Sequence, residues 1–366
     1  MYAIGASITT KQGGNPLYSA VCLMPPFEVA VKSSYLELFP KYIKIFLANL
    51  PYLFKREAKI IYMDSYILNI FALLLLKKFL EKKIIVLEVG DLPEEYEELF
   101  SSDYIKKLFF VGYRKIFYAV LYNLRRNLLL ILPNYRFEQV IRAISPKGAS
   151  LRVSKAKKRY LDEAIILALC REINVEDRKK MRMHLERKLI EHHNFISLYA
   201  GTLSTLSFFF LLVQALKILI KTFELSTITL FIFGKGEFFR KIYQKTEKAS
   251  CLKVVYKSSM YDKREILIRV ISRGKYYRKF LINDRIIIYL SPYVSEKFLA
   301  KNASFFDAGL LTFVPGLIYN YLLTTKKLLL YMKMKLPIIV PRGSYAQELL
   351  EKLQYPHITV NVYENG

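Results

Sequence analysis

Phe195-Ile-Ser-Leu-Tyr-Ala-Gly-Thr-Leu-Ser204, then a long apolar run, then Ile228-Thr-Leu-Phe-Ile-Phe-Gly-Lys-Gly-Glu237 decide the fold. The first segment reads as a strand ending at Gly201 and the last as a strand ending at Gly234. Residues 206–221 between them have the length of a helix. Strand, glycine turn, helix and parallel strand make a βαβ unit. Ligands of open α/β sheets sit outside the carboxyl ends of such strands, where both glycines lie. The intervening run is apolar on all sides except at Gln214 and Lys217. A bilayer span needs roughly 20 apolar residues, so between two strands this one reads as a buried crossover helix.

The alternation continues on both sides. Residues 2–8, 27–32, 59–63 and 83–89 read as strands, 9–16 as a loop holding Gly13-Gly14, and 67–79 as a helix. Beyond the central unit, 254–256, 285–290, 306–312 and 336–340 read as strands, and 326–335 as a helix. Such alternation predicts parallel sheets covered on both faces. Residues 103–132 read as helical, basic and aromatic, with a break at Gly112. Arg114-Lys115 and Arg125-Arg126 lie eleven residues apart, close to three turns. Phe109, Phe110, Phe117, Tyr118 and Tyr122 interleave with them. This is either a core-packing helix with snorkelling basic side chains or a surface that docks on anionic lipid. Residues 175–191 read as a charged, solvated helix. The expected division is 1–175 and 176–366.

With 366 residues, 53% of them hydrophobic, the chain can build two full cores. Its 24% of charged residues excludes a disordered class, while the net charge of +26 predicts attraction to anions: lipid head groups, nucleic acid or phosphorylated small molecules. Cys22, Cys170 and Cys251 are far apart and match no metal spacing, which suits reduced thiols in a cytosol. Four histidines, including the His192-His193 pair, build no metal site. Met1-Tyr-Ala-Ile-Gly5 lacks the basic and apolar regions of a secretory signal. The expected location is cytoplasmic, peripheral on the inner face of the membrane.

Several segments, in order, resemble glycosyltransferase family 4 (glycosyl transferases group 1) of the GT-B fold. They are Gly13-Gly14, Leu87-Glu-Val-Gly-Asp-Leu-Pro-Glu94, Tyr199-Ala-Gly-Thr-Leu203, Phe233-Gly-Lys-Gly-Glu237, Asp307-Ala-Gly-Leu310, Lys327-Leu-Leu-Leu-Tyr-Met332 and Pro337-Ile-Ile-Val340. The resemblance implies two Rossmann-like domains with parallel sheets facing a central cleft. It implies a retaining, metal-independent hexosyltransferase-like enzyme with no cofactor beyond a UDP- or GDP-linked nucleotide-sugar co-substrate. The donor would be held by Gly201, Thr202, Gly234, Lys235, Gly236, Glu237, Lys327 and Tyr331 in the C-terminal domain. Gly13 and Gly14 would form the acceptor-side loop of the N-terminal domain, and Asp91 is the catalytic candidate there. The acceptor would be a glycan, lipid-linked or protein molecule. Glycines let backbone approach a diphosphate, helix N-termini favour its charge, and Lys235 and Lys327 would offset charge on the departing nucleotide.

The chain departs from the family pattern at telling positions. Leu330 and Leu322 stand where carboxylates hold sugar or ribose, and Lys335 stands where a glycine is usual before Pro337. The histidine often found in the acceptor cleft and the terminal crossover helices are expected to be missing. A catalytically weakened binding or scaffold protein is therefore the alternative. Nucleic-acid binding rests on charge and aromatic content alone.

Overall fold

The computed structural model describes residues 19–23, 47, 58–65, 67–99, 104–144, 159–191, 194–202, 206–235, 253–254, 278–282, 284–292, 294–311, 317–322 and 326–362. The chain divides into two compact units, Met1–Ala164 and Ile165–Gly366. The strands expected at 2–8 and 27–32, the loop at 9–16, and Gly13, Gly14, His192, His193, Gly236 and Glu237 lie outside the described residues.

The first unit holds five parallel strands in chain order: β1 (Ser19–Leu23), β2 (Ala58–Asp64), β3 (Ile84–Glu88), β4 (Leu128–Leu132) and β5 (Arg159–Tyr160). Between β2 and β3 run α1 (Ile67–Leu75) and α2 (Lys77–Leu80). Between β3 and β4 run α3 (Pro93–Leu99) and α4 (Tyr104–Asn123). Right-handed crossovers between successive neighbouring strands put these helices on one face of the sheet, and α4 packs against both α1 and α3. A fifth helix, α5 (Tyr135–Ile144), follows β4.

The helix expected over 103–132 is corrected here. It runs through Gly112, ends at Asn123, and gives way to β4. Leu128-Leu-Leu-Ile-Leu132 is an apolar run that periodicity cannot assign to helix or strand. Pairing with β3 settles it, and Asn127 fixes the turn by donating to the carbonyls of Leu80 and Lys83 at 2.8 and 2.7 Å. Arg125 therefore lies beyond the helix and donates to the Tyr122 carbonyl at 2.6 Å, over the Tyr122 ring. Arg114 pairs with Glu97 at 3.0 Å, and Phe117 and Tyr118 are buried. The expected basic face does not form as one surface.

The second unit opens with α6 (Leu161–Glu172), which begins across the division, and α7 (Val175–Ile190). Asn174 caps α7 by accepting from the Asp177 amide at 2.7 Å. The βαβ unit of the opening quotation is present as β6 (Phe195–Thr202), α8 (Leu206–Phe223) and β7 (Ile228–Lys235). Phe209, Leu212, Leu216 and Leu219 bury one stripe of α8, Lys217 is exposed, and the Gln214 amide donates to the Val362 carbonyl at 3.0 Å. The stripe at 3–4-residue spacing is that of a crossover helix. Among the described residues, no helix is long and apolar enough to cross a membrane.

The remaining strands are β8 (Lys253–Val254), β9 (Arg278–Ile282), β10 (Ile286–Pro292), β11 (Ala308–Leu310), β12 (Ile338–Pro341) and β13 (His357–Val360). The sheet order is β13-β12-β11-β6-β7-β10-β9-β8, parallel from β13 to β10, with β9 and β8 antiparallel. Phe231 stacks on Tyr289 at 5.0 Å and meets Phe306 edge-on at 5.8 Å, filling the middle of this core. The remaining helices are α9 (Glu296–Lys301), α10 (Leu317–Leu322), α11 (Lys326–Lys333) and α12 (Tyr345–Lys352). Each unit is thus a Rossmann-like α/β layer structure.

Candidate functional site

From β6 the second sheet grows one way through β7 and β10, then the other way through β11, β12 and β13. The order reverses between β6 and β11, and a crevice opens outside the carboxyl ends of strands at such a reversal. Helix α11 delivers two side chains to this point, Lys327 and Tyr331, four residues apart and so on one helical face.

Tyr331 ties the two strands together. Its hydroxyl accepts from the Ala200 amide at 3.0 Å and donates to the Leu310 carbonyl at 3.1 Å. Burial pushes its pKa up, against the opposing Ala200 hydrogen bond, so it stays a neutral donor. Its ring packs against Gly309, where an added Cβ would overlap the ring carbons. Gly309 is therefore a slot for Tyr331, a role the sequence did not signal.

Lys327 crosses the end of β6. A Cβ added at Gly201 would overlap the Lys327 Cε and lie 3.0 Å from its Nζ. The ammonium sits 5.2 Å from the centre of the Tyr199 ring. Among the described residues, no carboxylate pairs with it. Gly201 stands opposite Gly234 in the ladder, and Thr202 opposite Lys235. Gly201, Gly234, Lys327 and Tyr331 are thereby gathered at one strand end. Thr202 and Lys235 share it by backbone, while their side chains, like Gly236 and Glu237, lie outside the described residues.

Asp307, in the Asp307-Ala-Gly-Leu310 segment, is at the other end of the sheet. Its carboxylate accepts from the Ile196 amide at 2.8 Å, meets His184 Nε2 at 3.0 Å and lies 3.7 Å from Lys188 Nζ. It fastens α7 to the amino ends of β6 and β11. Leu330 and Leu322, at the positions where the resemblance places carboxylates, are buried among apolar side chains.

A scan of protein-family models finds no match, and no curated protein sequence matches the chain. Among solved structures, the chain is similar to the N-terminal domain of Candida albicans trehalose-6-phosphate phosphatase, with TM-score 0.46 and 12% identity, over 93% of this chain and 67% of that one. It is also similar to an E. coli trehalose-6-phosphate structure bound with UDP-2-fluoro glucose, with TM-score 0.43 and 14% identity, over 90% of this chain and 67% of that one. Neither comparison singles out glycosyltransferase family 4.

The first unit has its own polar group at the carboxyl ends of β2 and β3. Pro93 opens α3, and Glu95 reaches back to accept from the Leu92 amide at 2.7 Å, as a capping residue does. Burial raises the pKa of Glu95 well above the usual carboxylate range, and the Asp91 charge adds to it. Asp91 is open to solvent on one side and crowded on the others. That loss of hydration raises its pKa, while the Tyr96 hydroxyl, donating at 2.8 Å, offsets part of the shift. Glu94 is buried, and neither carboxyl oxygen meets a donor at hydrogen-bonding geometry. Burial raises its pKa; its own amide, the Tyr118 hydroxyl and the Arg114 charge oppose the shift only in part. Tyr113, whose hydroxyl donates to the Ser65 carbonyl, feels Asp64, Asp91 and Glu94 together. Asp91 is thus one member of a carboxylate cluster. Glu94 was quoted only as the end of the Leu87–Glu94 segment, and Glu95 was not singled out.

Among the described residues, no group of three or more His, Cys, Asp or Glu side chains could hold a metal ion.

Proposed function

We propose that the chain is a glycosyltransferase that moves a sugar, with retention and without a metal, from a UDP- or GDP-linked donor to a glycan, lipid-linked or protein acceptor. The supporting observation is Lys327 laid over Gly201 at the strand-order reversal, with no carboxylate among the described residues to neutralise it. A bare strand end lets a diphosphate approach backbone. As the bond from the anomeric carbon to the diphosphate breaks, negative charge grows on the departing oxygen, and a fixed ammonium there stabilises it. As the acceptor oxygen bonds to that carbon it sheds a proton. Asp91, exposed and held by the Tyr96 hydroxyl at 2.8 Å, is the group we assign to hold an acceptor hydroxyl and take the proton.

Isothermal titration with a panel of UDP- and GDP-sugars tests the donor site. Binding is expected with the wild type and at least about tenfold weaker binding with Lys327→Ala, the loss of one charge-assisted contact. No binding across the panel refutes the proposal. The buried Leu322 and Leu330 favour one alternative, a protein that keeps the donor site but has lost turnover. Transfer or donor hydrolysis abolished by Lys327→Ala excludes that alternative.

A further inference from the structure

Helix α4 carries an exposed apolar stripe at its start. Tyr104, Ile105, Leu108 and Phe109 are between 54% and 80% exposed, at i, i+1, i+4 and i+5. The stripe continues along the helix through the exposed Gly112, Lys115, Tyr122 and Asn123. The opposite side is buried by Tyr113, Phe117, Val120 and Leu121. Helices α1 and α2, on the same face of the sheet, add exposed Phe71, Leu75 and Phe79 at four-residue spacing. Three helices thus show large apolar side chains outward, which soluble surfaces avoid over contiguous areas.

Charge tells what would cover them. On these helices and the turns that follow, the exposed charged side chains among the described residues are Lys77, Lys78, Lys82, Lys107, Lys115 and Arg126, against Glu81. Apolar rings and leucines bordered by lysines match a bilayer interface with anionic head groups. The stripe also abuts the carboxylate cluster. Exposed Phe109 contacts the Phe110 ring edge-on at 5.4 Å, Phe110 stacks on Tyr96 at 4.9 Å, and the Tyr96 hydroxyl bonds Asp91 at 2.8 Å.

We infer that the outer face of α1, α2 and the first half of α4 seats on an anionic membrane surface and sets the Asp91 cluster beside it. An acceptor carried on a lipid would then reach Asp91 without leaving the bilayer. Docking itself needs no nucleotide sugar, so it stands or falls apart from the sugar-transfer proposal.

Co-sedimentation of the full chain with phosphatidylcholine vesicles, with and without about a quarter phosphatidylglycerol, tests it. The expected result is binding to the anionic vesicles that falls steeply between about 0.1 M and 0.5 M salt. Lys107→Glu/Lys115→Glu and Ile105→Glu/Phe109→Glu should each lower the partition at least about tenfold, since one basic residue near such a surface counts for about fivefold. Val175→Glu, equally exposed but on α7, should leave it unchanged. Circular dichroism confirms that each variant folds. Equal binding to neutral vesicles, no binding at all, or loss of binding with Val175→Glu overturns the inference. So does sedimentation velocity showing that Ile105→Glu/Phe109→Glu splits a dimer, because a second copy then covers the face.

Discussion

Gly309→Ala tests whether the Tyr331 slot holds the second sheet together at its strand-order reversal. The new methyl would overlap the Tyr331 ring, which is fully buried and has no free direction in which to swing. Overpacking a dense core costs about 1–3 kcal/mol. A displaced ring also withdraws the hydroxyl from the Ala200 amide and Leu310 carbonyl, and leaving buried polar groups unpaired costs about 1–3 kcal/mol. The sum, about 2–6 kcal/mol, is a large part of the 5–15 kcal/mol that a typical folded protein has. Tyr331→Phe keeps the ring and loses only the hydroxyl, so about 1–3 kcal/mol is expected. Tyr331→Ala empties the slot and should cost about 3–5 kcal/mol, but the cavity would then accept the methyl of Gly309→Ala. The double variant is therefore expected to be no less stable than Tyr331→Ala alone, a strong non-additivity. Urea unfolding gives the energies, and hydrogen exchange of the Ala200 amide shows whether the loss is local. Gly309→Ala within about 0.5 kcal/mol of wild type, or strictly additive costs, would refute the argument.

Glu94→Gln should stabilise the protein by about 1–3 kcal/mol at neutral pH, because the wild type keeps a buried carboxylate there without a donor. Its folded pKa is raised, so its stabilising contribution is present below the unfolded value of 4.5 and is lost as pH rises through the folded value. Thermal melts should show the gap between variant and wild type closing toward pH 4; a gap independent of pH sinks the argument. Lys335→Gly should raise stability by about 0.5–1 kcal/mol, since Lys335 adopts φ +54° where glycine is strain-free. Its ion pair with Asp177 at 2.7 Å is exposed and offsets little of that; a destabilised glycine variant in chemical unfolding would show that the ion pair dominates.

The central βαβ unit was legible because each of its strands is a continuous apolar run ended by glycine, and the run between them is too long for a strand. The same kind of run misled at 128–132, where only pairing with β3 distinguishes strand from helix. Strands β9 and β13 and helices α6 and α12 passed unread: short or mixed in pattern, they are fixed by partners distant in sequence. At the carboxyl end of β6, Gly201, Gly234, Lys327 and Tyr331 were chosen together, and the structure gathers them. Gly309 was quoted within a motif, but a slot for a ring 22 residues later leaves no local pattern. Lys335 was noted as standing in a glycine's place. The reason is local, because the Leu336 amide bonds the Tyr331 carbonyl and the Lys335 amide bonds that of Met332, closing α11 with a left-handed residue.

The net charge of +26 sorts into separate uses. Some basic side chains finish helices: Arg178 donates to the Leu353 carbonyl at 2.6 Å behind α12, and Arg285 donates to the Leu225 carbonyl at 2.6 Å behind α8. Both sit where carbonyls lack intrahelical partners and the dipole is negative. Others, such as Arg114 and Lys335, are paired with acids. A third group, including Lys77, Lys107 and Lys115, is exposed around the apolar face of α1, α2 and α4. Lys327 belongs to none of these. It is half-buried at a strand end, crosses a glycine whose added Cβ would overlap it, and among the described residues has an aromatic face and no carboxylate as its neighbour. Holding a long, entropically costly side chain there with no acid among the described residues to pair it makes physical sense where an anion arrives from outside. That is why the donor-site argument rests on Lys327 and not on the overall charge.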